Sequence, residues 1–356
     1  MDERVIAEVD LEAIRHNVLA IKSRLQRGVK YMSVLKADAY GHGAVKVAQY
    51  IGDIVDHIAV ATIDEGIELR KNGITKPVLV LGETIPDRLF DAKKYNITTT
   101  IFSKEILAGY SDFVRRNSLS ISSHVAVDTG MNRIGIRHDD YDTILKAFSN
   151  PYINIEGIFS HLAQAEDEVF TAKQVNAFNK SIDFLNKKSI KVPMRHIANS
   201  IGSKSIFNQF DCVRAGIEQY YPESTSLLPA MTLKARIVQV KDVPAGESIG
   251  YDRSFTAKRN MRVATVAIGY ADGLMRSLSN VGKMLVGGKI VDIVGKVCMD
   301  FSMIDVSETD RVLPGDYAEI FGQGILRAEK IAEIAKTIPY EVLTNLSERV
   351  VRVYKP

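Results

Sequence analysis

The chain has 356 residues, of which 46% are hydrophobic and 25% charged, and carries a net charge of +3. That length allows two domains or a barrel with an appendage, and the scattered basic pairs, such as Arg115-Arg116 and Lys187-Lys188, form no stripe for nucleic acid or an anionic membrane. No apolar run approaches the ~20 residues of a membrane span, the acidic start Met-Asp-Glu-Arg is not a secretory signal, and Cys212 and Cys298 show neither metal spacing nor a disulfide framework; a cytoplasmic protein is expected.

Residues 5–9 read as a strand. Leu11, Ile14, Val18, Ile21 and Leu25 then mark the apolar face of a helix, with Asp10 placed as its N-cap. From residue 31 a rhythm sets in. Apolar runs at 31–35, 58–61, 78–81, 97–101, 124–127, 153–159, 194–197 and 212–213 alternate with helix-period segments at 63–72, 87–95, 104–116, 141–148 and 169–187. A shorter helix is expected at 200–207. Eight strands alternating with helices is the count of a (β/α)8 TIM-type barrel.

After Pro222 the texture changes. Residues 238–240, 262–268, 283–286, 289–294, 302–305 and 317–321 read as strands, and Gly287-Gly288 as a two-residue hairpin turn. Helices are expected near 329–335 and from Tyr340. The expected fold class is α/β: a barrel over residues 1–227 and a C-terminal mainly β domain over 228–356, with the first strand packing against the second domain.

A barrel of this kind gathers its chemistry just past the carboxyl ends of its strands. There the chain places Lys36 after the first strand, Arg133 after the fifth, His161 after the sixth, Asn199-Ser200 after the seventh and Arg214-Ala215-Gly216 after the eighth. A lysine that ends a buried strand either snorkels to solvent or sits where desolvation favours the neutral, nucleophilic amine. Position alone favours the first.

The full string Val34-Leu35-Lys36-Ala37-Asp38-Ala39-Tyr40-Gly41-His42-Gly43 closely resembles the cofactor-attachment motif of the alanine racemases. The resemblance runs in the family's order from about residue 5 to residue 354. It implies that Lys36 holds pyridoxal 5'-phosphate as a Schiff base and that Tyr40 reaches its phosphate. The segment Ser248-Ile249-Gly250-Tyr251-Asp252-Arg253-Ser254-Phe255 is similar to the one carrying the family's catalytic tyrosine. Tyr251 would therefore enter from the partner subunit of a homodimer with shared active sites. Racemisation needs a base on each face of the α-carbon, and Lys36 and Tyr251 would be the two.

By the same resemblance His161 and Arg214 favour the phenolate of Tyr251, His196 is hydrogen-bonded to Arg214, and Arg214 faces the pyridine nitrogen. An arginine keeps its proton, so the ring would be a restrained electron sink. Ser200, with Asn199 beside it, the backbone of Gly216 and Ile217, and the hydroxyl of Tyr340 would complete the cofactor site. Arg133, Tyr270, Met299 and Asp300 would meet an amino-acid substrate. No metal is implied.

The residues alone leave other roles open. Tyr251 fits a loop after a glycine turn, and His161 and His196 fit strand-end histidines satisfied by backbone. Arg214 fits a structural pair with Asp211 or Glu218, and Ser200 fits a helix N-cap. Two positions depart from the family. Tyr221 stands where many members have glycine. Ala126 stands where many have a carbamylated lysine beside the arginine matched by Arg133. As a buried guanidinium, Arg133 would then need another anion, such as chloride, with Asp128 or the substrate carboxylate as alternatives. The implied activity is interconversion of L- and D-alanine for the cell wall. A racemase acting on serine or basic amino acids, and a non-catalytic binder of the cofactor, are the other readings. A decarboxylase fits less well, because the segments around Tyr251 and Cys298-Met299-Asp300 match the racemases.

Overall fold

The structure is a computed structural model describing residues 3–222 and 226–356, so the first two residues of the acidic start lie outside the described residues. The chain divides into two units. One is Arg15–Ala39 with Ala44–Gln219; the other is Met1–Ile14, Tyr40–Gly43 and Tyr220–Pro356. Strand β1 (Val5–Asp10) belongs to the second.

The first unit is the barrel. Its strands are β2 (Lys30–Val34), β3 (His57–Val60), β4 (Val78–Val80), β5 (Ile97–Ile101), β6 (Ile121–Asp128), the two-residue β7 (Ile136–Arg137), β8 (Ile153–Phe159), β9 (Arg195–His196) and β10 (Cys212–Ala215). Eight of them pair in the order β10-β2-β3-β4-β5-β6-β8-β9, all parallel, and β7 adds to the edge of β6. Covered on both faces, such strands read as unbroken apolar runs rather than alternating ones; all three residues of β4 are buried.

The barrel is nearly closed. No ladder joins β9 to β10, but Asp211 N donates to Arg195 O and Arg214 N to Ala198 O, both at 3.0 Å. Helices start where side-chain oxygens take up free backbone donors. Ser103, Asp140 and Asp167 cap helices Lys104–Arg116, Tyr141–Phe148 and Glu168–Lys187. Leu107, Tyr110, Val114, Phe178 and Leu185 of two of these helices join Ile158 of β8 in one apolar core.

The helix expected at 200–207 is absent. Two 3-10 turns, Gly202–Lys204 and Ile206–Asn208, take its place. Here side chains claim the carbonyls a helix would use. Ser203 Oγ donates to Ser200 O at 2.6 Å and Gln209 Nε2 to Ser203 O at 2.9 Å.

The second unit is built around a 13-residue strand, β11 (Met231–Val243). The sequence suggested only 238–240, because the half-buried alternation of 231–237 includes Lys234 and Arg236 and so lacks an apolar run. β12 (Ser248–Ile249) and β13 (Phe255–Thr256) pair with each other. β14 (Met261–Val266) lies against β11, and the hairpin β15 (Lys283–Val286) and β16 (Lys289–Asp292) turns at Gly287 and Gly288. Both glycines have positive φ, 56° and 78°, as this tight turn requires. β17 (Ser302–Asp305) extends β14, and β18 (Tyr317–Phe321) pairs with β11. β1 pairs antiparallel with β11 and parallel with β19 (Val351–Lys355). Among the described residues no helix is long and apolar enough to cross a membrane.

Candidate active site

Lys36 stands two residues past the end of β2, and the backbone beyond it is unusual. Ala37, Asp38, Ala39 and Tyr40 all lie near φ +52°, a left-handed turn made without glycine. Each such residue costs about 1–2 kcal/mol, so the surroundings must enforce it. Ala39 N donates to Leu35 O at 2.9 Å, Ala37 N to Glu65 Oε1 at 2.7 Å, and Ala44 N to Asp38 Oδ1 at 2.7 Å. Strain held this way at a reactive side chain is a mark of functional sites.

Lys36 is half-buried. Burial lowers its pKa below the usual lysine value, with Arg133 and Arg214 pushing the same way and Glu65 opposing them. The shift is toward the neutral amine, the form that acts as a nucleophile.

Arg214, on β10, is almost fully enclosed. Burial lowers its pKa to about 10, so it remains a cation at neutral pH. Neither carboxylate named from the sequence is its partner. Asp211 takes a bidentate pair from Arg195, and Glu218 pairs with Arg24 and Lys204. Arg214 instead donates to His196 Nδ1 at 2.5 Å and to the carbonyls of Ser160 at 2.6 Å and Ile197 at 3.2 Å, with His161 Nδ1 at 3.3 Å.

Both histidines are therefore bound by a charged side chain, not satisfied by backbone alone. Burial and then Arg214 push the His161 pKa to about 3 and the His196 pKa far below the usual value, so both stay neutral. The His196 ring stacks on Phe159 at 5.1 Å.

The other barrel residues are placed as follows. Ser200 is not a helix cap; its Oγ accepts from Gly216 N at 2.9 Å. Asn199 Oδ1 accepts from Gly202 N at 2.8 Å. Ile217 is buried at the start of a 3-10 turn. Arg133 is exposed, which corrects the expectation of a buried guanidinium. Its charge is solvated, so desolvation does not demand a bound chloride beside Ala126. Asp128 is engaged elsewhere: its Oδ1 takes the amides of Gly130 and Asn132 at 2.9 and 3.1 Å.

In the second unit Tyr40 lies 5.2 Å from Tyr220 and 6.1 Å from Tyr340, ring centre to ring centre. Burial, with Tyr340 adding to it, raises the Tyr40 pKa well above the phenol range, so its hydroxyl stays a donor. The glycines around Tyr40 are needed. A Cβ on Gly41 would strike Leu343 O and one on Gly43 the hydroxyl of Tyr354, and both have positive φ.

Tyr270 N and Ala271 N donate to the carbonyls of Cys298 and Met299 at 3.0 Å, which ties two of the expected substrate segments together. Asp300 accepts from Arg349 at 2.7 Å. Tyr251 is 68% exposed in a 3-10 turn between β12 and β13. Tyr221 is buried, its hydroxyl accepting from Glu329 N at 3.3 Å. Both cysteines are free thiols.

Glu65 was not singled out from the sequence, although Thr62-x-x-Glu65 is a capping box legible there. Its second oxygen accepts from Ala61 N at 2.7 Å and Thr62 N at 3.0 Å, so one carboxylate clamps the Lys36 turn to the next loop. Glu65→Gln should cost about 1.5–3 kcal/mol in urea unfolding, the worth of a hydrogen bond to a charged group. It should also lower the Lys36 pKa further, read as faster acetylation of that lysine at fixed pH. Unchanged stability and labelling would remove Glu65 from the turn's support.

The fold is that of a barrel enzyme, with a candidate site at Lys36 and Arg214. Residues 9–223 match the alanine racemase N-terminal domain and residues 230–354 the alanine racemase C-terminal domain. The chain is 41% identical to the alanine racemase of Carboxydothermus hydrogenoformans, over 98% of this chain and 99% of that one. Among solved structures it superimposes on alanine racemase from Clostridium difficile 630 with a TM-score of 0.93, at 37% identity over 99% of this chain and 96% of that one. It superimposes likewise on alanine racemase from Bartonella henselae with covalently bound pyridoxal phosphate, with a TM-score of 0.88, 28% identity and 99% of each chain covered. The chain belongs to the alanine racemase family, and its class is that of the isomerases.

Proposed function

We propose that this protein interconverts L- and D-alanine with pyridoxal 5'-phosphate as cofactor, in the cytoplasm and as a homodimer. The observation that carries the reading is the Lys36 amine, half-buried two residues past the end of β2, where burial and two arginines lower its pKa. The donor set fits the cofactor. An amine whose pKa is lowered suits an aldehyde, and the Tyr40 phenol, kept protonated by burial, suits a phosphate. Lys36 would hold the group; Tyr40, Tyr340, Ser200, Asn199 and the backbone of Gly216 and Ile217 would seat its phosphate; Arg214, with His196 behind it, would meet its ring nitrogen. Bound there, pyridoxal phosphate supplies an electron sink for the α-carbon.

The remaining work belongs to the side chains. Lys36 takes a proton from the α-carbon, or returns one, on one face, and Tyr251 of the partner subunit does so on the other. Arg214 stays protonated and so does not transfer a proton to the ring. Neutral His161 and His196 add no second charge beside it. Arg133, Met299, Tyr270 and Asp300 would orient the substrate. The test is direct: incubate the purified protein with pyridoxal phosphate and, in turn, L-alanine, L-serine and L-lysine, then resolve the enantiomers. D-alanine should accumulate fastest. Serine or lysine turning over faster would replace the substrate assignment, and no inversion of any of the three would overturn the reading.

A further inference from the structure

The ring nitrogens of His196 are not interchangeable. Arg214 keeps its proton, so the 2.5 Å contact from its Nη1 makes His196 Nδ1 the acceptor. A neutral imidazole has one N–H, which then belongs to Nε2. That atom lies 2.9 Å from Nδ1 of His124, an almost fully enclosed residue of β6. His124 Nδ1 must therefore accept, and its own proton belongs to Nε2. Burial depresses the His124 pKa to about 3, so this ring too is neutral. His124 also lines a cavity of about 320 Å³ with His57, Thr98 and Glu156. One charged guanidinium thus sets the proton positions of two successive rings. Hydrogen bonds arranged in such a series polarise one another where the dielectric is low.

We infer that His124 is a positioning residue. By accepting from His196 Nε2, it holds that ring in the tautomer and orientation that receive Arg214, and so fixes where the other guanidinium N–H groups point. The Phe159 ring, 11° from parallel to His196, limits tilting but cannot choose between the two nitrogens. Any effect on turnover rests on the proposed reading of Arg214, but the tautomers themselves do not.

The test uses the whole chain labelled with ¹⁵N-histidine and two-bond ¹H–¹⁵N spectra, in which the two neutral tautomers differ. Seven histidines make the spectrum tractable, and the His124 signals are those lost in His124→Asn. In the unsubstituted protein His124 and His196 should both carry their proton on Nε2. A proton on Nδ1 of His124 would overturn the inference without any variant. His124→Asn places an amide oxygen near the position of Nδ1 and should preserve the His196 spectrum and the turnover. His124→Phe removes the acceptor. It should shift the His196 Nε2 resonance and lower kcat about tenfold, as loss of an outer hydrogen-bond partner does. Identical His196 spectra in the asparagine and phenylalanine variants would also overturn it. The spectra decide the matter whether or not the protein racemises alanine.

Discussion

Lys36→Ala is expected to reduce racemisation by more than about 10⁴-fold, beyond the upper end of what one positioned acid–base group contributes. The margin arises because the same amine would attach the cofactor and carry the proton. The loss should be chemical, not structural. The hydrogen bonds that enforce the turn come from the backbone amides of Ala37, Ala39 and Ala44, with Glu65 and Asp38, and not from the lysine amine. Near-UV circular dichroism of the variant should therefore match that of the parent. Borohydride reduction of the protein mixed with pyridoxal phosphate should fix the label on the peptide containing Lys36 and leave the variant's peptide unlabelled. Label on a different lysine would show the assignment to be wrong.

Tyr251→Phe should lower racemisation by roughly 10²–10⁴-fold, since it removes the proposed proton carrier while leaving the ring. Cofactor binding should survive. Lys36, as proposed, would still serve its own face, so exchange of the α-hydrogen with solvent should persist for one enantiomer and fall for the other. Equal loss of exchange for both would contradict a pair of bases on opposite faces, and a variant close to the parent would remove Tyr251 from the reaction. In the protomer this tyrosine is 68% exposed. A homodimer that uses it should also lose activity on dilution, as subunits separate.

The barrel was legible because strands such as 78–80, buried throughout, stand out as apolar runs between amphipathic helices, while 153–159 keeps its buried residues despite Asn154 and Glu156. The C-terminal unit was legible only in part. β11 escaped over most of its length because Lys234 and Arg236 occupy its half-exposed positions, and β19 because its residues are exposed or half-buried. The local propensity of 200–207 gave a helix, but Ser203 and Gln209 bond the backbone instead. For the candidate site, a motif and the strand ends singled out Lys36 and Arg214, and the structure sets them two residues past β2 and on β10. The left-handed turn was not legible, since Ala-Asp-Ala-Tyr carries none of the glycines that usually announce positive φ. Nor was His124, which reads as one more inward residue of β6 until the nitrogen-to-nitrogen distance assigns it a role. Burial of Arg133 was expected from the family resemblance that sets it beside position 126, whereas the turn held by Asp128 leaves it exposed.

The missing ladder between β9 and β10 has a further consequence. Besides its two backbone bonds, the seam is fastened by side chains: Arg195 to Asp211 at one level, and Arg214 to His196 and to the carbonyls of His196 and Ile197 at another. The arginine proposed for the chemistry is thus also a rivet in the hoop. A substitution at Arg214 alters the reagent and slackens its container at once, so its kinetic deficit cannot be assigned to electronics alone. Amide hydrogen exchange along 195–198 and 211–215 would report the slackening separately, and only the part of the deficit that leaves those amides protected belongs to the guanidinium's charge.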